Sequence, residues 1–221
     1  MEYGKKMKLL LIDPPFKSFA GIFSLYFPLG LTYLAGAAKK AGYQCSILDM
    51  DAAEPKEGSL NYSREYEHYK SYITAINDPA HPTWQLMRRL VVEQKPDFIG
   101  ITALTTKFGS VIQTARFCRE VLPQVPIIVG GAHASTMPEL TASIPEVDFV
   151  LRGESDETLP ELLKTIESRG DLSKVGSLTW KNAGKIVHNP DAPFTRNLDS
   201  LPLPDRSALL NPEHYSSEDM G

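Results

Sequence analysis

KLLLIDPP, residues 8–15, decides the architecture of this chain. Leu9, Leu10, Leu11 and Ile12 form an unbroken apolar run, which suits a strand covered on both faces. Asp13, Pro14 and Pro15 then stop it, because proline cannot donate the next ladder hydrogen bond. Residues 29–41 (LGLTYLAGAAKKA) follow with helix-forming composition and meet a stop at Gly42. Residues 43–50 read as a second strand. The opening is therefore β-α-β, and two parallel strands need such a crossover between them.

The same grammar recurs as a helix at about 83–94, a strand at 97–103, a helix at about 108–121, a strand at 126–129, a helix near 136–143, a strand at 147–151 and a helix near 157–168. Five strands alternating with helices predict a parallel sheet with helices on both faces and right-handed crossovers. Ligands of such sheets bind beyond the carboxyl ends of the strands. The loops of interest therefore follow Ile12, Asp49, Ile101, Val129 and Val150.

Residues 51–82 interrupt the alternation as a helical insertion. Tyr62, Tyr66, Tyr69, Ile73 and Ile76 stand at steps of four and three, one face of a helix, read as packing. Beyond Gly170, residues 177–180 and 185–187 flank Asn182-Ala183-Gly184 as a β-hairpin. Pro190, Pro193, Pro202, Pro204 and Pro212 then mark an extended linker. The expected organisation is one domain over 1–170 and a hairpin plus linker over 171–221.

With 27 acidic against 23 basic side chains and no basic stripe, the chain does not present itself to nucleic acid or an anionic membrane. Its polar N-terminus, and the proline break after the first apolar run, fit neither a signal peptide nor a membrane span, so the expected location is cytoplasmic. Cys45 and Cys118 lie far apart without a Cys/His cluster and are expected to be buried, inert thiols.

No G-x-G-x-x-G follows the first strand, and there is no P-loop or G-x-S-x-G elbow. The strand ends carry small and neutral residues instead. Pro14-Pro15 follow the first strand, residues 102–106 (TALTT) the third, residues 130–135 (GGAHAS) the fourth and Gly153-Glu154-Ser155 the fifth. Small residues admit a ligand close to the backbone, and hydroxyls with backbone N–H groups suit a ligand with amides and a flat base. The expected site is a deep binding cleft without acid–base machinery. Glu154, Asp156 and Glu157 also read as first-turn acids favoured by the helix dipole, worth about 0.3–1 kcal/mol each.

Taken in order, KLLLIDPP, PLGLTYLAGAAKKAGY, KPDFIGIT, IIVGGAHAS, VDFVLRGESDETLPELL and LDSLPLPDRSALL resemble the cobalamin-binding domain at the N-terminus of B12-dependent radical SAM proteins. The resemblance implies a Rossmann-like, flavodoxin-like domain that binds cobalamin, as methylcobalamin or hydroxocobalamin, base-off with its nucleotide tail in the cleft. It places Gly130, Gly131, His133, Ala134 and Ser135 along the tail channel, with His133 at its rim, and Thr102, Ala103, Leu104 and Thr105 on the opposite wall. Leu29 and Gly30 fall near the corrin, and Gly153, Glu154 and Thr158 close the side.

The family's radical chemistry resides in a barrel with C-x-x-x-C-x-x-C, a [4Fe–4S] cluster and S-adenosylmethionine. That motif is absent from these residues, so the expected role is cofactor binding beside such a barrel in a methyltransferase-like enzyme, with no catalytic residue supplied here. The D-x-H-x-x-G of methionine synthases and mutases is replaced by Asp13-Pro14-Pro15-Phe16-Lys17-Ser18, which offers no cobalt-ligating histidine. For His133, channel contact is read ahead of a structural loop role and of cobalt ligation. Two other readings stay open. One is a cofactor-free interaction module of the same fold. The other is a receiver-like signalling domain built on Asp13 and Asp49, which lacks an aspartate where Thr102 stands.

Overall fold

Leu9 to Ile12 are each at most 2% exposed within β1 (Lys8–Asp13), as an apolar run covered on both faces requires. The strand pairs in parallel with β2 (Gln44–Asp49) on one side and β3 (Phe98–Thr102) on the other. The computed structural model describes residues 6–20, 27–53 and 65–215. Outward from β3 come β4 (Ile127–Gly130), β5 (Phe149–Leu151), β6 (Leu178–Asn182) and β7 (Lys185–His188), giving the order β2-β1-β3-β4-β5-β6-β7.

The sheet has seven strands, not five. The hairpin expected as an appendage continues it, since β6 pairs antiparallel with β5 through Phe149↔Trp180, Val150↔Thr179 and Leu151↔Leu178. Without β6, β5 would be a buried edge with unpaired N–H and C=O groups, an arrangement proteins avoid.

Helices cover both faces. Leu10, Ile12, Ile99, Ile101, Ile127 and Val129 pack in one apolar cluster with Trp84, Met87 and Val91 of α4 (Pro82–Gln94) and Val111 and Ala115 of α5 (Phe108–Val121). On the other face, Leu9, Leu11, Ile128 and Leu151 pack with Leu31 and Ala35 of α2 (Leu29–Lys40) and Leu159 and Leu162 of α8 (Thr158–Glu167). The helix expected near 136–143 is two short ones, α6 (Ala132–Thr136) and α7 (Pro138–Ser143). Pro138 keeps Met137 out of the helical region, at φ −129° and ψ 54°.

The insertion contains α3 (Glu65–Ile76), but its buried face differs from the expected stripe. Tyr69 is 60% and Ile73 37% exposed, whereas Tyr72 is 3% and Ala75 5% exposed; Tyr62 lies outside the described residues. The short α1 (Lys17–Ala20) sets this rotation: Phe16 just before it and Phe19 within it approach the Tyr72 ring at 5.0 and 6.4 Å. Cys118 is buried and Cys45 partly so, and burial pushes both thiols up to about 12, out of the reactive range.

The proline-rich tail is a strap over α2 and the β2 edge. The Asp205 N–H donates to the Thr32 carbonyl at 2.8 Å, and Lys39 pairs with the Asp205 carboxylate at 2.8 Å. A Cβ on Gly36 would lie 2.4 Å from the Leu203 carbonyl oxygen, so the crossing requires glycine there. Leu209 forms a parallel bridge to Ile47, and Leu210 N–H donates to the Ile47 carbonyl. The edge of β2 is thereby covered. The strap ends with the Tyr215 hydroxyl donating to the buried Asp49 carboxylate.

Burial, and next the Asp13 carboxylate beside it, raise Asp49 to about 6, against the lowering effect of the Tyr215 hydrogen bond. Asp51 also faces this group, which raises the Asp49 value by its charge and lowers it through its backbone N–H. A carboxyl raised on folding stabilises the fold below its unfolded value near 3.8, and that contribution is lost as pH rises through about 6. In urea titrations the wild type should therefore gain about 2 kcal/mol relative to Asp49→Asn between pH 7 and pH 4. Tyr215→Phe, which leaves the carboxylate buried without its donor, should cost about 1–3 kcal/mol at pH 7. Parallel pH profiles for wild type and Asp49→Asn would contradict this account.

Candidate functional site

The register of three central strands aligns Leu11, Gly100 and Ile128 in one row on the α2/α8 face. Gly100 contributes no side chain, and a Cβ built there would lie 2.7 Å from Leu11 Cδ2. The Leu11 side chain leans into the space that a side chain at 100 would take, and the row forms the floor of the site. Above it lies a cavity of about 330 Å³, within the about 300–1,000 Å³ typical of small-molecule clefts. Leu31 and Leu34 of α2, Leu159 of α8 and Leu151 of β5 wall it, and its mouth opens among Thr102, Gly130, Gly131, Ser155 and Asp156 at the carboxyl ends of the strands.

Of the residues expected at the site, the fold brings Leu29, Gly30, Thr102, Leu104, Gly130, Gly131 and Gly153 to this cavity. Leu29 and Leu104 stand at its mouth, 48% and 46% exposed. Pro14, Pro15, Ala103 and Ala134 are buried outside its lining, and Thr105 opens the 3₁₀ turn Thr105–Lys107. The two central glycines differ in what they do. Gly131 has φ 101° and ψ −177°, and a Cβ there would lie 2.9 Å from the Ala103 carbonyl oxygen, so the backbone itself demands glycine. Gly130 has no such constraint, its Cβ position meeting only the Leu151 carbonyl at 3.7 Å.

His133 is not at a rim. The chain turns into α6 straight after Gly131, and the imidazole, 5% exposed, stacks on Phe108 with ring centroids 3.8 Å apart. Its Nδ1 lies 3.1 Å from the Thr105 hydroxyl, and its Nε2 is buried with no hydrogen-bond partner. Burial lowers its pKa below the ordinary imidazole value, so the ring is neutral at pH 7.

Sequence reasoning overlooked Lys107 and Gly100. Lys107 is 6% exposed and pairs with the Asp13 carboxylate, both lining the cavity mouth. Burial raises the Asp13 pKa, and the Lys107 charge acts against that. Nothing local marks Lys107, whose partner is 94 positions away. Gly100 did leave a signal, since glycine inside an apolar strand often marks a close approach by a ligand or another backbone. The carboxylates of the receiver-like reading are engaged otherwise: Asp13 holds Lys107 and Asp49 holds Tyr215. Among the described residues no three His, Cys, Asp or Glu side chains are grouped to hold a metal.

Ser135, Glu154 and Thr158 line a different cleft. The Ser135 hydroxyl donates to the Gly131 carbonyl at 3.0 Å and accepts from Gly153 N–H at 2.8 Å, tying the loops after β4 and β5 together. Beside that tie, a cleft of about 330 Å³ runs between residues 152–158 and residues 191–195. Glu154 and Asp156 precede α8 instead of occupying its first turn, and Glu157, its N-cap, makes no side-chain capping bond. Asp156 lines the first cavity, and burial raises its pKa.

Known proteins are similar to this chain in sequence or in fold. The chain is 27% identical over 217 residues to an uncharacterized methyltransferase of Pyrococcus horikoshii, covering 97% of this chain and 41% of that protein. It is 25% identical to the cytidylyl-2-hydroxyethylphosphonate methyltransferase of Streptomyces wedmorensis, covering 89% of this chain and 36% of that protein. It thus spans well under half the length of these relatives. Among solved structures it superposes on the radical S-adenosylmethionine methyltransferase TsrM of Kitasatospora setae, solved with cobalamin and a [4Fe–4S] cluster, at TM-score 0.63 and 17% identity, covering 89% of this chain and 31% of that one. It also superposes on the cobalamin-dependent S-adenosylmethionine radical enzyme OxsB, solved with aqua-cobalamin and S-adenosylmethionine, at TM-score 0.65 and 17% identity, covering 91% of this chain and 24% of that one. The model of the B12 binding domain matches residues 20–163, from the last residue of α1 into α8, and this chain belongs to that cobalamin-binding family.

Proposed function

We propose that the chain holds cobalamin base-off, with the nucleotide base in the cavity above Gly100 and the corrin across Leu29, Gly30 and Leu104. The observation that carries this reading is the cavity over the Leu11–Gly100–Ile128 row, an apolar slot at the carboxyl ends of the strands where a flat base finds leucine walls on both sides. Thr102 and the backbone of Gly130, Gly131 and Gly153 offer hydrogen bonds where the slot opens. The tail of the cofactor fits that polarity gradient, with its apolar base deepest and its sugar and phosphate at the mouth.

The first strand ends in Asp13-Pro14-Pro15 and His133 is turned beneath Phe108, so we assign no cobalt ligand to this stretch. Cobalamin supplies cobalt-centred alkyl or electron transfer, and this domain would contribute binding and orientation. Glycine at 131 keeps the loop against Ala103, and the Asp13–Lys107 pair fixes the mouth. By likeness to TsrM and OxsB, we place this domain beside a radical SAM barrel that carries the cluster and S-adenosylmethionine, in an enzyme of the methyltransferase type.

Mixing the protein with excess hydroxocobalamin, followed by desalting, should leave corrin absorbance on the protein at close to one equivalent. A colourless protein would sink the cobalamin assignment and favour a cofactor-free interaction module. Cobinamide, which lacks the nucleotide tail, should bind about 100-fold more weakly, the value of burying one bicyclic base. Equal binding of cobinamide and cobalamin would remove the tail from the cavity.

Gly130→Leu, which fills the cavity without straining the backbone, should lower cobalamin affinity at least about tenfold with little change in folding stability. His133→Ala should behave oppositely, costing about 2–4 kcal/mol of stability through its lost packing while retaining the cofactor. Equilibrium binding monitored by corrin absorbance, with urea unfolding of the same variants, separates the two.

A further inference from the structure

We infer that the Asp13–Lys107 ion pair is a specificity-determining contact for one propionamide arm of the corrin, the carboxylate accepting from the amide N–H group and the ammonium donating to the amide carbonyl. This rests on the cobalamin reading and deepens it. Both residues line the cavity, with side chains 20% and 8% exposed. Lysine is almost never buried unless paired, and a buried pair gains little over apolar packing of the same volume. Leu31, Leu34, Leu151 and Leu159 supply apolar walls to this cavity. A charged pair set among them suits the orienting of a ligand better than the holding of the fold.

Three carboxylates gather at the ends of β1 and β2, and their hydrogen bonds sort them. Asp49 accepts from the Tyr215 hydroxyl and from Asp51 N–H. Asp51 accepts from Phe16 N–H, Ser18 N–H and the Ser18 hydroxyl. Neither lines the cavity, whereas Asp13 does. Among the described residues the Asp13 carboxylate has Lys107 as its single hydrogen-bond partner, through Oδ1. Its Oδ2 is left to accept, and the ammonium, with three donors, spends one on Asp13.

Charge then selects the group that binds. A phosphate at Oδ2 would meet the Asp13 charge with Asp51 close behind it, and a cation would meet Lys107. A neutral group with a donor and an acceptor on neighbouring atoms offends neither charge. A primary carboxamide has that form, with its N–H₂ and C=O on one carbon. The propionamides of a cobalamin project from the face of the macrocycle that bears the nucleotide tail, and its acetamides from the other. With the tail in the cavity, the propionamides point toward the strand ends. Their two methylenes give them the reach to a pair set below the mouth.

The test is equilibrium binding, read by corrin absorbance at pH 7, of hydroxocobalamin and its three monocarboxylic acids, each with one propionamide hydrolysed and ionised. One acid should bind the wild type at least about tenfold more weakly than the other two, because its carboxylate meets the Asp13 oxygen. In Asp13→Asn the same acid finds an ammonium without its carboxylate and should bind at least about threefold more tightly than hydroxocobalamin. The double variant Asp13→Asn/Lys107→Gln leaves no uncompensated buried charge, and that acid's disadvantage should vanish. Urea midpoints report folding, and the double variant decides the matter where the single one unfolds. Equal affinity of the three acids for the wild type, or a disadvantage that persists in the folded variants, would overturn the inference while hydroxocobalamin binding stands. A protein that takes up no hydroxocobalamin removes the cobalamin reading itself, and this inference with it.

Discussion

The parallel register of β1, β3 and β4 is the constraint on which the site depends. It sets Leu11, Gly100 and Ile128 side by side as the floor of the cavity that two helices cover, with Leu11 leaning over the glycine. A slip of one residue would turn these side chains to the opposite face and replace that floor. The cavity is therefore made by strand pairing, and the loops only shape its mouth. Helices α2 and α8 then roof it with leucines, so a cofactor domain of this kind needs both crossovers in place before it has a pocket at all.

The glycines of the GGAHAS loop act at different levels. Gly131 satisfies a backbone demand, closing the turn against Ala103, whereas Gly130 keeps a side chain out of the cavity. His133, the large polar residue among them, is packed against Phe108 and stays neutral. Its position follows from the short helix α6 that starts at Ala132. A residue conspicuous by chemistry is here part of the packing, and the residues conspicuous by smallness divide between chain geometry and ligand space.

The sheet protects its flanks by two different means. On one side β6 and β7 extend it antiparallel, sparing β5 an unpaired buried edge. On the other the strap crosses α2 at Gly36, adds a bridge beside Ile47 and ends at Asp49. The Asp49 and Asp13 carboxylates are partners in the β1–β2 register, one held by Tyr215 and the other by Lys107. Strap and cavity mouth thus share one electrostatic neighbourhood, in which burial raises both carboxyl pKa values.

The alternation of apolar runs with helical segments carried the five parallel strands, their helices and the end of the sheet where the site lies, because those features are written locally in hydrophobic period and in glycine and proline stops. Thr102, Leu104, Gly130, Gly131 and Gly153 could be named from strand-end position, and Leu29 and Gly30 only through the family resemblance. Tertiary structure alone decided the rest. The joining of the hairpin to β5, the rotation of α3 toward Phe16 and Phe19, the pairing of Lys107 with Asp13 and the return of Tyr215 to Asp49 all link residues distant in sequence. The division of the expected site residues between two clefts was equally invisible, since it rests on the Ser135–Gly153 hydrogen bond. Periodicity reports which side of an element is apolar, and it carries no information about which distant surface that side will meet.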